Sequence, residues 1–168
     1  MSSRLKAAGV DAELVTEYAK DKVWEEHDFV FRDQCYIFGH QHFRMARVCG
    51  KVDVVVTDSP LPLSAFYDDG CYRDELAAMA RKAYVRHDGC ILSYFLRRVK
   101  NYSPNGRFQT EAESDAVSVR LRSFVEGLGT ILTDIPGSEE GYDKVVSDVF
   151  AALKGAAPPL AGEPPAAP

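Results

Sequence analysis

The sequence has few cysteines, no long apolar run and no signal-like start. Its four cysteines form no C-x-x-C pair, which predicts reduced thiols in or near the core and argues against a disulfide framework or a metal site. No apolar stretch approaches the ~20 residues of a membrane-spanning helix, and the first residues lack the charged and then apolar pattern of a secretion signal. These absences predict a cytoplasmic protein without a membrane partner. The cysteines are Cys35, Cys49, Cys71 and Cys90.

Basic residues are also in deficit. The formal net charge is −5, whereas general binders of nucleic acids or membrane surfaces carry a basic excess. Because 46% of the residues are hydrophobic, a chain of this length can bury a real core. We therefore predict one domain over residues 1–154. Residues 155–168 are rich in Pro and Ala and are expected to form a disordered tail.

A phosphate-binding loop of the form G-x-x-x-x-G-K-[S/T] is missing as well. The only Gly-Lys pair is Gly50-Lys51, which is followed by Val52. Met45 stands where the first glycine of such a loop would be. Residues 1–168 therefore contain no displaced phosphate-binding loop.

What the sequence does contain is an alternation of short β-rich runs with helical patterns. This alternation is typical of βαβ units and predicts an α/β fold with a parallel sheet. The continuous β-branched run at 52–58 predicts a central strand that is buried on both faces. The other predicted strands cover 12–16, 90–96 and 130–135, and the predicted helices cover 2–10, 19–26, 32–48, 73–85, 110–128 and 139–154.

Asp58 is a candidate functional carboxylate because it ends the strongest predicted strand. In doubly wound folds, ligands bind at the carboxyl edge of the sheet, where this side chain would lie. A carboxylate there can hold Mg²⁺ through water or contact an acceptor hydroxyl. The alternative is a strand-end Asp that caps the following turn. Strand position alone leaves both interpretations open.

A basic segment follows the predicted strand at 90–96. Four cations lie within eleven residues, and a Pro-Asn-Gly turn forces a loop between them. Such a loop either is a solvated basic surface or folds over phosphate groups. The cations are Arg97, Arg98, Lys100 and Arg107.

Three segments carry a family resemblance: ELVTEYAKD at 13–21, VDVVVTDSPLPLS at 52–64 and RRVKNYSPNGRFQTE at 97–111. Together they resemble P-loop nucleoside or nucleotide kinase-like proteins. Members of that family are often labelled AAA-family ATPases, are related to ribosylnicotinamide kinases and are common in bacteriophage genomes. The resemblance covers roughly residues 5–152.

The resemblance implies a three-layer, parallel-sheet, P-loop kinase-like fold from which the first strand and the P-loop are missing. In that fold the missing strand lies in the middle of the sheet, beside residues 52–58. Without it, two ladders of backbone groups lose their partners, at about 1 to 3 kcal/mol for each buried unpaired group. Three explanations follow: the start of the chain is placed too late, the flanking strands pair directly, or a second copy or another partner chain fills the gap in the sheet.

Catalytic roles also follow from the resemblance. Glu17 would orient or deprotonate the attacking hydroxyl, and Asp58 would serve Mg²⁺. The alternative for Glu17 is a helix-N-terminal acid favoured by the helix dipole. In the basic segment, which looks like the lid of small kinases, Arg98 and Arg107 would stabilise charge during transfer.

Binding roles complete the set. Arg97 and Lys100 would contact ATP, and Tyr102 would contact the substrate. Gln41 and Arg44 lie on the helix that borders the acceptor site in related kinases. Alternatively, these two are polar residues on the protein surface without a role in binding.

The implied function is ATP- and Mg²⁺-dependent phosphoryl transfer to a hydroxyl or phosphate acceptor. A nucleoside, a nucleotide or a modified DNA base would fit the same residues. Because the phosphate-binding loop is absent, we expect the chain to be inactive by itself. The alternative is a non-catalytic remnant of the family that binds a nucleotide or a protein partner.

Overall fold

A computed structural model describes residues 1–86, 90–99 and 110–155. The predicted tail and most of the basic segment lie outside these ranges. The elements in chain order are α1 (Ser2–Ala7), β1 (Ala12–Val15), α2 (Tyr18–Trp24), a 3-10 helix (Asp28–Arg32), α3 (Gln34–Ala46), β2 (Val54–Thr57), α4 (Pro62–Tyr67), α5 (Arg73–Arg86), β3 (Ser93–Arg97), α6 (Glu111–Gly127), β4 (Leu132–Pro136) and α7 (Glu139–Gly155).

The four described strands form two parallel pairs. β1 pairs with β2 in the register Ala12 to Val54 and Val15 to Thr57. β3 pairs with β4, with Ser93 opposite Leu132. The α/β class and the parallel pairing are confirmed, whereas the described residues form two separate two-stranded sheets.

The prediction for the strand at 52–58 was right in position and wrong in burial. β2 is only half-buried along its whole length. Its single strand neighbour in the described part of the chain is β1, so its second edge has no strand beside it. A strand of this composition becomes fully buried only when it is covered on all sides.

One apolar cluster joins the two strand pairs. Residues from β1 and β4 are buried in it together with residues from α1 and α7, and side chains of β2 and β3 pack against it. Full burial of each large aliphatic side chain stabilises the fold by about 1.5 to 3 kcal/mol. The buried members are Leu5, Val10, Ala12, Ile135, Val145 and Val149, and the flanking ones include Val54, Val56 and Tyr94.

A second cluster packs α3, α4 and α5 together. Small residues of α5 recur at helical spacing and let α4 approach closely. Phe124 of α6 and Leu128, which follows this helix, pack against the same cluster. Its buried members are Phe38, Leu61, Ala65, Leu76, Ala77, Ala80 and Ala83.

Helix α6 also contacts the second strand pair. Arg122 donates two hydrogen bonds to Asp134 of β4, both at 2.7 Å, and its guanidinium lies 5.2 Å from the centre of the Phe95 ring. A capping box between Thr110 and Glu113 starts this helix. The orientation of α6 is therefore defined at its beginning and along its length.

Some sequence expectations need correction. The helix predicted from residue 32 begins at Gln34, because the Asp33 side chain accepts a hydrogen bond from the Tyr36 N–H and caps it. The cysteines are free, but Cys35, Cys71 and Cys90 are exposed and Cys49 is half-buried. Their expected place in or near the core is therefore wrong for three of the four.

Gly141 controls how closely α7 approaches the end of β4. A Cβ at this buried position would overlap the Pro136 carbonyl oxygen. We expect Gly141→Ala to lower the free energy of unfolding by about 1 to 3 kcal/mol, because the backbone must move. Urea denaturation followed by circular dichroism measures this change.

Gly127→Ala is the matched control, because a Cβ there has no atom within 4 Å. Alanine favours helix, so this variant should be as stable as the parent or more stable. Equal stability of the Gly141 variant and the parent would contradict the close contact between α7 and β4.

Candidate functional site

The candidate site begins at the carboxyl edge of the β1 and β2 pair. Because Val15 lies opposite Thr57, the chain leaves both strands at the same level of the sheet. Glu17 and Asp58 follow within two residues of these strand ends. The parallel pairing therefore brings the two predicted acids to one edge, which is where ligands bind in open α/β sheets.

Asp58 does not cap the turn that follows β2. The Ser59 N–H donates instead to the Thr57 hydroxyl at 3.1 Å. The Asp58 carboxylate is exposed and makes no hydrogen bond or ion pair with the described residues. Glu17 is half-buried at the start of α2, and its side chain makes no capping bond to that helix.

Gln41 of α3 forms hydrogen bonds to residues at this edge. Its carbonyl oxygen accepts from the Tyr18 N–H at 2.9 Å, and its amide nitrogen lies 3.4 Å from the Thr57 hydroxyl. The side chain is buried, with 3% of its surface exposed. Gln41 thus ties α3 to the start of α2 and to the end of β2, and its predicted contact with a substrate stays a prediction.

Arg44, one turn further along α3, holds the loop after β1. It donates to the Thr16 hydroxyl at 3.2 Å and to the Thr16 carbonyl at 3.3 Å. Its second nitrogen donates to Asp21 at 2.6 Å. The guanidinium lies over the Tyr18 ring, 5.1 Å from its centre. Arg44 therefore positions the segment that carries Glu17.

A cavity of about 500 Å³ lies between α4, the start of α5 and α6. Three aromatic rings form part of its wall: the Phe66 ring is 5.0 Å from Tyr67 and 5.7 Å from Phe124, centre to centre. Two arginines reach the same space. The lining residues are Phe66, Tyr67, Arg73, Val117, Arg120 and Phe124.

The electrostatics of Tyr67 connect this cavity to the strand edge. Burial raises the pKa of Tyr67, the negative charge of Glu17 raises it further, and the positive charge of Arg120 lowers it. Both charges therefore act on one phenol. The acid that follows β1 and the arginine of α6 thus both influence a tyrosine that lines the cavity.

The described part of the basic segment lies at the end of the second strand pair. Arg98 donates to Asp115 at 2.9 Å and to Ser114 at 3.3 Å, near the start of α6. The pKa of Asp134 is lowered mainly by its hydrogen bonds from Arg122, and the charge of Arg97 lowers it further. Lys100, Tyr102 and Arg107 lie outside the described residues, so the predicted lid and its roles stay predictions.

A metal site built from several side chains is absent from the described ranges, where no three His, Cys, Asp or Glu groups cluster. His40 stacks on Tyr18 at 4.3 Å, which accounts for it as a packing residue. Asp58 alone suits Mg²⁺, which usually binds one or two carboxylates together with water and phosphate oxygens. The triphosphate of ATP has no glycine-rich cradle in residues 1–168.

The cavity residues were missed by sequence reasoning. Phe66 and Phe124 are far apart along the chain, and only the packing of α4 against α6 brings them together. Arg120 lies in a helix with several other charged residues, so its position in the sequence does not mark it as a binding residue.

Neither family models nor curated proteins nor solved structures match this chain. None of the helices in the described ranges is long and apolar enough to cross a membrane.

Gln41→Leu tests the support beneath the site. The substitution keeps the volume but leaves the buried Tyr18 N–H without an acceptor, so we expect a loss of about 1 to 3 kcal/mol in the free energy of unfolding. Urea denaturation measures it. Gln34→Leu is the control, because Gln34 only donates to the Phe31 carbonyl at 3.1 Å near the helix start. If both variants lose the same stability, Gln41 has no special supporting role.

Proposed function

We propose that this chain is a P-loop kinase-like protein that carries the acceptor side of a phosphoryl-transfer site. Its class of reaction is ATP-dependent transfer to a hydroxyl or phosphate acceptor. Residues 1–168 lack the loop that would anchor the triphosphate. The proposal therefore expects the chain alone to bind an acceptor without phosphorylating it.

One observation carries the proposal: the parallel register that brings Glu17 and Asp58 to the same carboxyl edge. Two carboxylates at such an edge provide an acceptor for a hydroxyl proton and an oxygen ligand for Mg²⁺. Asp58 is exposed, and the Thr57 hydroxyl satisfies the turn that this aspartate could have capped. The support that Gln41 and Arg44 give to this edge fits a site that must hold its geometry.

The fold of the described residues is compatible with the proposed three-layer arrangement. Both strand pairs contribute to one cluster that α1 and α7 cover, as two parts of a single sheet would. The proposed central strand would lie between the pairs, in a parallel orientation that satisfies the open strand edges. Chain that precedes residue 1, a second copy or a partner chain could supply it, unless the flanking strands pair directly.

A non-catalytic role is the second candidate function. The absence of a G-x-x-x-x-G-K-[S/T] loop favours it, because backbone N–H groups of such a loop hold the β- and γ-phosphates. In this case the protein binds a nucleoside or nucleotide, or a partner protein, at the same edge. An assay for transfer of labelled phosphate from ATP, with the triphosphate-anchoring loop supplied, separates the two candidates: transfer supports the kinase-like role, and its absence supports the non-catalytic one.

Glu17→Gln tests the acceptor edge. The proposal expects binding of a nucleoside or nucleotide to weaken by about tenfold, because a charge-assisted hydrogen bond to an acceptor hydroxyl is lost. Isothermal titration calorimetry with adenosine, cytidine and their monophosphates measures the affinity. Glu13→Gln is the control, since Glu13 lies within β1 and pairs with Lys6 at 3.3 Å, away from the strand end.

Two results would count against this assignment. Equal affinity for the Glu17 variant and the parent would remove Glu17 from the site. Rapid phosphate transfer by residues 1–168 alone would contradict the expected lack of triphosphate anchoring. If the Asp58→Asn variant transferred phosphate equally fast, Asp58 would have no role in binding Mg²⁺.

A further inference from the structure

We infer that the cavity between α4 and α6 binds a nucleoside monophosphate, with the base against the aromatic wall and the phosphate on Arg73 and Arg120. The inferred ligand thus carries a phosphate before any transfer takes place. Its role as the acceptor rests on the proposed function, whereas its binding in the cavity does not depend on that function.

Arg73 and Arg120 are the two arginines that line this cavity. Neither has an ion pair with a described carboxylate, a property that they share with Arg32, Arg47 and Arg81. Arg4, Arg44, Arg98 and Arg122 each pair with a carboxylate, at 2.6, 2.6, 2.9 and 2.7 Å. Arg120 has no hydrogen bond or ion pair with any described residue. Its charge is therefore available to an anion. A guanidinium matches the geometry of phosphate oxygens and can bind two of them at once.

Arg73, at the start of α5, also lines the cavity. It donates to the Asp68 backbone carbonyl at 2.7 Å, which fixes the guanidinium without neutralising it. The Asp68 carboxylate is occupied elsewhere, since it accepts from the Gly70 and Tyr72 N–H groups at 2.9 Å each. Two uncompensated positive charges thus face one space in a chain whose net charge is −5.

The aromatic wall suits a flat ring. Phe66 makes an edge contact with Tyr67 at an interplanar angle of 79° and a tilted contact with Phe124 at 56°. Val117 adds an aliphatic surface on the side of α6. Bases of any kind stack on aromatic side chains, because every base has a π-face. A volume of about 500 Å³ lies within the range of small-ligand pockets.

The inferred acceptor role also involves Glu17. Tyr67 lines the cavity, and its pKa is raised by the charge of Glu17 and lowered by the charge of Arg120. A phosphate that binds Arg120 leaves a sugar hydroxyl free to point toward the carboxylate edge. The site thus distinguishes a nucleoside that already bears one phosphate from a free nucleoside.

Isothermal titration calorimetry on the full chain without ATP tests the inference. The probes are the 5′- and 3′-monophosphates of adenosine and cytidine, the two free nucleosides and inorganic phosphate. At least one monophosphate should bind about tenfold tighter than its nucleoside and than inorganic phosphate, because it alone uses both arginines and rings. Arg120→Gln should weaken that binding about tenfold, and Phe124→Leu should weaken it several-fold.

Arg81→Gln is the matched control, because Arg81 is exposed on α5 and does not line the cavity. It should bind as the parent does, and thermal unfolding verifies that each variant is folded. Equal affinity for nucleoside and monophosphate, unchanged affinity in Arg120→Gln, or no binding of any monophosphate would overturn the inference. If Arg120→Gln weakens binding of the monophosphate and Glu17→Gln does not, the cavity is the binding site but the ligand is not the acceptor.

Discussion

The structure depends on one apolar cluster, because no strand pairing in the described residues joins the two halves of the protein. Each sheet has two strands, and an isolated two-stranded sheet is only marginally stable in water. Leu5 and Ile135 are essentially fully buried where α1 and α7 cover both pairs. Burial of such side chains, rather than a continuous hydrogen-bonded sheet, keeps the strands in place. The relative position of the two strand pairs follows from this packing.

The candidate site then arises from two arrangements that the packing combines. The parallel register of β1 and β2 aligns Glu17 with Asp58 at one edge. Helix α6 is tied to β4 by the Arg122 pair with Asp134 and reaches the second cluster through Phe124, so it carries Arg120 to the same region. Tyr67 links the two, because it lines the cavity and its pKa responds to both Glu17 and Arg120. The proposed acceptor, with a hydroxyl and a phosphate, depends on this link.

The sequence predicts the elements better than their assembly. The β-branched run of β2 and the Ala-rich pattern of α5 are local signals, and the parallel pairing expected from the alternation is found between β1 and β2, which Glu17 and Asp58 follow. The burial of β2 could not be predicted, because it depends on which strands flank it. The contacts of Gln41 with Tyr18 and Thr57 are tertiary contacts with no signal in the local pattern. The same holds for the cavity, whose residues become neighbours only through the contact of α4 with α6.

Mapping of amide chemical shifts by nuclear magnetic resonance tests the central claim most directly. In a titration with the tightest-binding monophosphate, the account predicts that the largest shift changes fall on Glu17, Tyr67, Arg120 and Phe124. The outer face of α3 offers a useful contrast, because Tyr36, His40 and Phe43 line a separate, more open cavity. Shift changes confined to that face, or spread evenly over the surface, would contradict the account.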